Sequence, residues 1–277
     1  MTLFQEFHHI VQRVGETVAV PQIEEVLLPS HGKEEGKQDE FGFLLLADGS
    51  VGPFYTSFDN SLQLIQQELS RGLLQQTDPV ELASKLGDDR LHINALALGA
   101  LNAISQFLMR RSGFDPTAAP VEAALSEPAG RIGMVGYFGS VTERYLAQGY
   151  RITLVEKNPA RVPAIPGMEV STEPAVLAGC DYILCTASTL INNTLREILD
   201  AVSPATVIKL MGPSASCLPD PLFARGVDLV AGIMIDDPEC LRRALSRGES
   251  WGGCGKRYQL SSGGYPGWEA LLARCRF

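Results

Sequence analysis

The sequence predicts an α/β protein built on a doubly wound, mainly parallel sheet, with a smaller α+β unit in front of it. From Arg131 onward, five short apolar runs alternate with helix-forming stretches, the pattern of strands covered on both faces by their crossover helices. Before residue 112 the order differs: an amphipathic helix, a strand pair around a tight turn, then a train of helices. Between the two lies SGFDPTAAPVEAALSEPAG, starting at Ser112, with the Pro, Ala and Gly content of a connection. The expected division is residues 1–112 and 118–277, and 277 residues suffice for two modest cores.

The elements follow in order. LFQEFHHIVQRV brings Leu3, Phe7, Ile10, Val11 and Val14 near one helical face, which predicts a first amphipathic helix. PSHGKEEGKQDE is polar and reads as a solvated loop. In FGFLLLADGSVGPFY two apolar runs flank Asp48-Gly49, a hairpin signal because glycine supplies the positive φ such turns require. Helices are expected at SLQLIQQEL from Ser61, at DPVELASKL from Asp78, and along RLHINALALGALNAISQFLMRR. In the last, Ala95, Ala97, Gly99, Ala100 and Ala103 allow close backbone approach, which predicts a central helix packed on several neighbours.

In the second half the strands are RIGMVGY, RITLVEK, DYILCTA, TVIKLMG and DLVAGIM. Helices are expected over Ser140–Gln148, Thr194–Ala201 and Pro238–Ser246, with a shorter one over Leu218–Ala224. No repeat of 20 to 50 residues is visible.

Composition narrows the partners. The chain is 45% hydrophobic and 20% charged, as globular proteins are, and its net charge of −9 with no basic run argues against nucleic acid. A small molecule or another protein, a second copy of the chain included, is the expected partner. MTLFQEFHHIVQRV lacks a basic start followed by an apolar stretch, and no run approaches 18 apolar residues, so neither a signal peptide nor a membrane span is expected and the cytoplasm is the default. All six cysteines lie in the second half without a CxxC pair and are expected as free thiols.

Ligands of open parallel sheets gather beyond the carboxyl ends of the strands. That rule selects Gly136–Ser140, Glu156–Pro159, Thr186–Thr194, Gly212–Cys217 and Ile235–Asp237. MVGYFG matches GxGxxG except that Met134 stands at the first glycine. Gly136 can permit close backbone approach, Gly139 helix–strand packing, and Ser140 a helix cap. Glu156 lies 20 residues after Gly136, where an acidic side chain can accept from ribose hydroxyls. An adenosyl-type ligand and a plain turn beside a solvated Glu both fit these residues.

In TASTLINNT, Thr194 and Glu197 fit a capping box, while Ser188, Asn192 and Asn193 offer hydrogen-bonding groups to a ligand. In MGPSASC, Gly212-Pro213 makes a turn, and Ser214, Ser216 and Cys217 are placed to line the cleft, Cys217 as a soft-metal ligand or nucleophile. Cys254, within SWGGCGK, sits on a glycine-rich loop able to approach a site, whereas Cys180 and Cys185 bracket a buried strand as small core residues. The four histidines all precede residue 93, and no HxxxH spacing joins them, so a preformed zinc site is not expected. Nor is there a GxSxG elbow.

The segments GYFGSVTERY, LVEKNP, TLINNTLREIL and KLMGPSASCLPDPLFARGVDLVAGIMIDD, with FGFLLLADGSVGPFY and ALGALNAIS upstream, resemble the DUF364 family of heavy-metal chelation proteins, whose N-terminal part is the DUF4213 domain. The resemblance implies an enolase N-terminal-like domain joined to a Rossmann-like domain, with a site in the cleft between them. Its matching positions add Phe138 to Gly136, Gly139, Glu156, Asn192, Thr194, Gly212 and Pro213. It also implies binding or processing of a small metal-chelating molecule, with a heavy or transition metal held through that molecule or by a few cleft side chains. The alternatives are an enzyme or sensor using S-adenosylmethionine or a dinucleotide, and a non-catalytic oligomeric scaffold. No catalytic residue is identified by either route.

Overall fold

The first helix forms where its apolar spacing predicts. In a computed structural model, α1 (Leu3–Thr17) buries Phe7, Ile10, Val11 and Val14, and Thr2 and Gln5 close a capping box at its start. The structure describes residues 1–29, 41–72, 74, 77–122, 125, 128 and 130–275, so the polar stretch read as a solvated loop lies outside it except for Pro29.

Strands β1 (Ile23–Leu27), β2 (Phe41–Leu46) and β3 (Val51–Tyr55) make an antiparallel sheet in that order. The β2–β3 turn is the one expected at Asp48-Gly49: Gly49 has φ +82°, and Asp48 Oδ1 accepts from Ser50 N at 3.0 Å. Along β2, Leu44 and Leu46 join the main core, while Phe43 and Leu45 join a second cluster with Ile233, Ile235 and Leu241. Both faces are buried, which is why the strand is an unbroken apolar run.

Helices α2 (Ser61–Ser70), α3 (Pro79–Ala83) and α4 (Leu91–Arg111) follow. Every residue of α4 from Asn94 to Met109 is buried. The small residues serve close approach: a Cβ on Gly52 of β3 would overlap the Gly99 carbonyl oxygen, and one on Gly99 would lie 2.5 Å from the Phe54 ring. By length and composition α4 is apolar enough to cross a membrane, yet 83% of its most apolar window is buried inside the protein.

The second half contains β4 (Ile132–Val135), α5 (Gly139–Ala147), β5 (Ile152–Val155), β6 (Met168–Ser171), β7 (Tyr182–Thr186), α6 (Leu195–Ala201), β8 (Val207–Met211), α7 (Asp220–Phe223), β9 (Leu229–Ile235), α8 (Pro238–Arg247), β10 (Gly255–Ser261) and α9 (Trp268–Arg274). The sheet order is β10-β9-β8-β7-β4-β5-β6, parallel throughout except that β10 runs antiparallel to β9. This is a doubly wound sheet whose order reverses between β4 and β7. All five predicted strands are present, as β4, β5, β7, β8 and β9. Strands β1, β6 and β10 and helix α9 were not expected, and the helix read over Leu218–Ala224 shortens to the single turn of α7.

Ion pairs among the described residues tie the halves. Arg225 pairs with both carboxylate oxygens of Glu6 at 2.9 Å, and Arg242 reaches Glu24 at 3.0 Å and Glu25 at 2.8 Å while also pairing with Glu239.

The cysteine expectation needs correction. Cys240 and Cys254 form a disulfide, and only Cys180, Cys185, Cys217 and Cys275 are free among the described residues. Cys240 lies in the first turn of α8, and Cys254 immediately precedes β10. The β9–β10 register pairs Gly255 with Ile235, and Asp237 N donates to Cys254 O, so the return strand delivers Cys254 beside the start of α8. Cys254 is thereby in the second buried cluster rather than at the ligand edge.

Candidate functional site

A cavity of about 770 Å³ opens between the small sheet and the carboxyl edge of the large one. Four of the five predicted segments converge on it. Gly136 and Phe138 follow β4, Glu156 and Asn158 follow β5, Ser188, Asn192 and Thr194 follow β7, and Gly212, Pro213 and Ser214 follow β8. Ile235–Asp237 lies outside the lining, because Ile235 O is taken by Gln106 Nε2 and Asp237 caps α8.

Gly136 allows the close approach expected of it, since a Cβ there would sit 2.8 Å from Thr186 Cγ2 on the neighbouring strand, and with φ +79° it makes the tight turn as well. Met134 is a buried strand residue, so the missing first glycine costs nothing here, the turn being made two residues later. Two other expectations for this motif are corrected. Phe138, not Ser140, stands at the N-cap of α5, with no side-chain capping bond, and Ser140 is exposed outside the lining. A Cβ on Gly139 would meet only the Tyr137 side chain at 3.6 Å or more, so no close helix–strand packing depends on it.

Glu156 faces the cavity and accepts from Asn158 N through Oε1 at 3.0 Å. Beyond β7, Thr186 caps the short turn of residues 187–190 through its hydroxyl, which lies 3.0 Å from Ser188 Oγ. The Thr194–Glu197 capping box does not form: Thr194 Oγ1 donates to Asn192 Oδ1 at 2.6 Å, and no side chain caps α6. Asn193 is exposed with φ +55°, a left-handed turn position that Asn tolerates, and is not part of the lining.

At β8, Gly212 has φ +116°, which turns Pro213 and Ser214 into the cavity edge. Ser214 is 2% exposed. Its Oγ, together with Asn102 Oδ1 beneath it, is among the buried polar atoms with no protein partner within the described residues. Cys217 is fully buried behind this turn and outside the lining, and burial pushes its thiol up to about 12.

The sequence reading missed what the N-terminal layer contributes. Phe41, Tyr55, Phe58 and Leu91 form an apolar wall, with Tyr55 edge-on to Phe41 at 5.6 Å and to Phe58 at 5.1 Å. Asp59, beside them, is held at φ +41°, a strained position at the cavity rim. Lys157, Arg161 and Thr172 also line the cavity, the last at the end of the unread strand β6. Tyr137 lines it too, its phenol pushed above the ordinary range first by burial and then by the Glu143 charge.

The other missed residues sit underneath. Asn94 Nδ2 donates to the carbonyls of Leu190 and Ile191, Asn102 Nδ2 to Pro53 O at 2.7 Å and Ser214 O at 3.1 Å, and Gln106 Nε2 to Ile235 O at 2.6 Å. Ser105 Oγ accepts from Leu218 N at 3.0 Å. Four polar side chains on one buried helix thus fix the loops after β7 and β8 and the end of β9. Polar residues inside INALALGALNAISQ are the signal, since a buried amide or hydroxyl must find partners.

A heavy metal does not fit the chain's own donors. No histidine or cysteine lines the cavity, and no group of three His, Cys, Asp or Glu residues gathers for an ion among the described residues. The cavity's ionisable groups are oxygen and nitrogen donors of mixed sign: Asp59, Glu156 and Glu197 against Lys157 and Arg161.

Sheet order, turn geometry and crevice define a Rossmann-like α/β protein with the carboxyl edge of its sheet facing a second, antiparallel layer. Residues 119–262 match the DUF364 family model, described as "Putative heavy-metal chelation", and the chain belongs to that family. A DUF364 protein of unknown function from Pyrococcus horikoshii superposes with a TM-score of 0.67 at 20% identity, covering 94% of this chain and 100% of its own. One from Desulfitobacterium hafniense DCB-2, also of unknown function, gives 0.67 at 17% identity over 94% and 98%. A magnesium-bound racemase from Streptomyces coelicolor A3(2) overlaps at only 0.35, with 11% identity over 74% and 88%. No curated protein matches.

Proposed function

We propose that the protein binds or processes a small metal-chelating molecule in the cleft, the metal arriving as that molecule's complex. What supports this is the cavity itself: it has the volume of a small-molecule site, an apolar aromatic wall and a polar rim, and among the described residues neither a thiol nor an imidazole, Met211 being the one sulfur in the lining. A family described by heavy-metal chelation, with a cleft that lacks thiols and imidazoles, is reconciled if the ligand supplies the coordinating atoms. In this reading Gly136, Phe138, Glu156, Asn192, Thr194, Gly212, Pro213 and Ser214 contact the ligand, and residues 1–112 serve as an enolase N-terminal-like lid domain of the DUF4213 kind over a Rossmann-like domain of residues 118–277.

Calorimetry on untagged protein tests it. Ni²⁺ or Zn²⁺ alone should give no saturable heat, while the same ions preloaded on an amino-carboxylate chelator should bind and lose affinity at least tenfold in Asn192→Ala. Equal binding of the free ions overturns the reading.

A second reading has its own motive. Glu156 ends the strand next to β4 in a sheet of this order, where an acidic side chain takes ribose hydroxyls in dinucleotide sites. Micromolar binding of S-adenosylmethionine or a dinucleotide, lost in Glu156→Ala, supports it, and binding that ignores the substitution sinks the ribose contact.

A further inference from the structure

The disulfide and the cleft are joined by a continuous run of aromatic rings. Trp251 lies on the loop between α8 and Cys254. Its ring is edge-on to Phe43 at 4.9 Å and to Phe41 at 5.7 Å. Phe41 in turn meets Tyr55, and Tyr55 meets Phe58; these three are the aromatic part of the cavity's apolar wall.

Beyond the packing of Trp251 on the second buried cluster and a bond from Glu249 N to Ala244 O at 2.8 Å, the Trp251 loop carries few ties among the described residues. It leaves α8 through the left-handed Gly248 at φ +65°, and Cys254 N donates to Trp251 O at 2.9 Å. Gly252 and Gly253 are exposed, and a Cβ on Gly253 would meet nothing within 4 Å. The bond from Cys254 to Cys240, across 14 positions, is the covalent tie that closes the loop onto α8. Cys240 is partly exposed, whereas the four free cysteines are buried, so an attacking thiol reaches this pair first.

We propose that the Cys240–Cys254 disulfide is a redox latch on the aromatic wall of the cleft. Oxidised, it presses Trp251 against Phe41 and sets the wall. Reduction frees the loop, withdraws Trp251 and loosens Phe41 and Tyr55.

The reductant is a dithiol. One of its thiolates attacks Cys240 Sγ, the S–S bond breaks, and Cys254 leaves as a thiolate that takes a proton. The second thiol then attacks the mixed disulfide and releases Cys240. Two electrons pass to the protein, and the reductant is left as a disulfide. That the wall belongs to a ligand site rests on the reading above, whereas the experiment reads the wall itself, so the two fail separately.

The full chain is compared oxidised and after dithiothreitol, with alkylation by iodoacetamide mapped by peptide mass. Alkylation is expected at Cys240 and Cys254 and at none of the other four. In the reduced protein, and in the Cys240→Ser/Cys254→Ser double variant, amide exchange across 248–254 and at 41–43 and 55–58 should rise at least tenfold, with β4 and β7 unchanged. The emission of Trp251, isolated in Trp268→Phe, should shift to the red. Exchange at 41–43 and 55–58 unchanged within twofold overturns the latch. So does alkylation of all six cysteines together, which would mean unfolding of the whole chain.

Discussion

Asn102, on the buried helix α4, donates to the backbone carbonyl of Ser214 at 3.1 Å, so a side chain from the N-terminal half sets the position of a cavity-lining loop in the other. The same nitrogen holds Pro53 O at 2.7 Å. Asn102→Asp removes the donor and leaves two buried carbonyls facing a carboxylate. Each unsatisfied buried group costs about 1–3 kcal/mol. Urea denaturation should show a loss at the upper end of that range, and amide exchange should rise in residues 212–216. Asn102→Leu, which fills the space without adding a charge, should be less damaging at the global level while giving the same local loosening.

Gly52 and Gly99 lock β3 against α4. A Cβ on Gly52 would fall on backbone atoms of Gly99 and Ala103, which no rotamer change can relieve. Overpacking of this kind costs about 1–3 kcal/mol and more where backbone must shift, so Gly52→Ala should lower the urea midpoint by a loss of about 3 kcal/mol. A midpoint within experimental error of the parent would mean that the two elements do not pack this closely in solution.

The Glu6–Arg225 pair should leave a signature in acid. The hydrogen bonds and charge of Arg225 hold Glu6 below its ordinary value of 4.5 against a smaller opposing effect of burial. A carboxylate depressed in the folded state contributes stability above its unfolded pKa, and that contribution is lost as pH falls through the folded value. The loss should therefore appear below pH 4.5. With both side chains about a quarter exposed, the pair contributes on the order of 1 kcal/mol. Glu6→Gln should be less stable than the parent at pH 7, and the two stability curves should converge progressively as the pH falls below 4.5. A constant gap across that range would assign the effect to packing instead.

What could be read from the sequence follows from what each element must bury. The strands β4, β5, β7, β8 and β9 are apolar because helices cover them, and their runs were visible. Strand β6, MEVS, lies at the sheet edge with Val170 41% exposed, and β10, GKRYQLS, begins with charges, so neither carries an apolar period. The disulfide was hidden because strand register, not sequence spacing, brings Cys254 to Cys240. Thr194 and Glu197 had the letters of a capping box, but Thr194 takes φ −105° and ψ −4° instead of the extended backbone of a capping residue, so its hydroxyl oxygen accepts from no amide of α6 and its proton goes to Asn192. The N-terminal wall of the cleft escaped notice because the strand-end rule speaks only of the parallel sheet, and nothing local to Phe41 or Tyr55 says which layer they will face.

The chain's own thiols should be poor metal ligands. Burial pushes Cys185 and Cys217 up to about 12 and raises Cys180 and Cys275 above the ordinary thiol value. Only a thiolate coordinates a soft ion, so at pH 7.5 the folded, oxidised protein should present almost none. Cd²⁺ added to it should produce no thiolate-to-metal absorbance near the ultraviolet edge, and a disulfide-exchange reagent should label no cysteine. In concentrated guanidinium, without reductant, the same reagent should label four cysteines, matching the four free thiols. If Cd²⁺ absorbance instead appears in the native protein and saturates at one ion per chain, a cysteine of the folded chain is a ligand, and the metal would not need a chelating molecule to bring it.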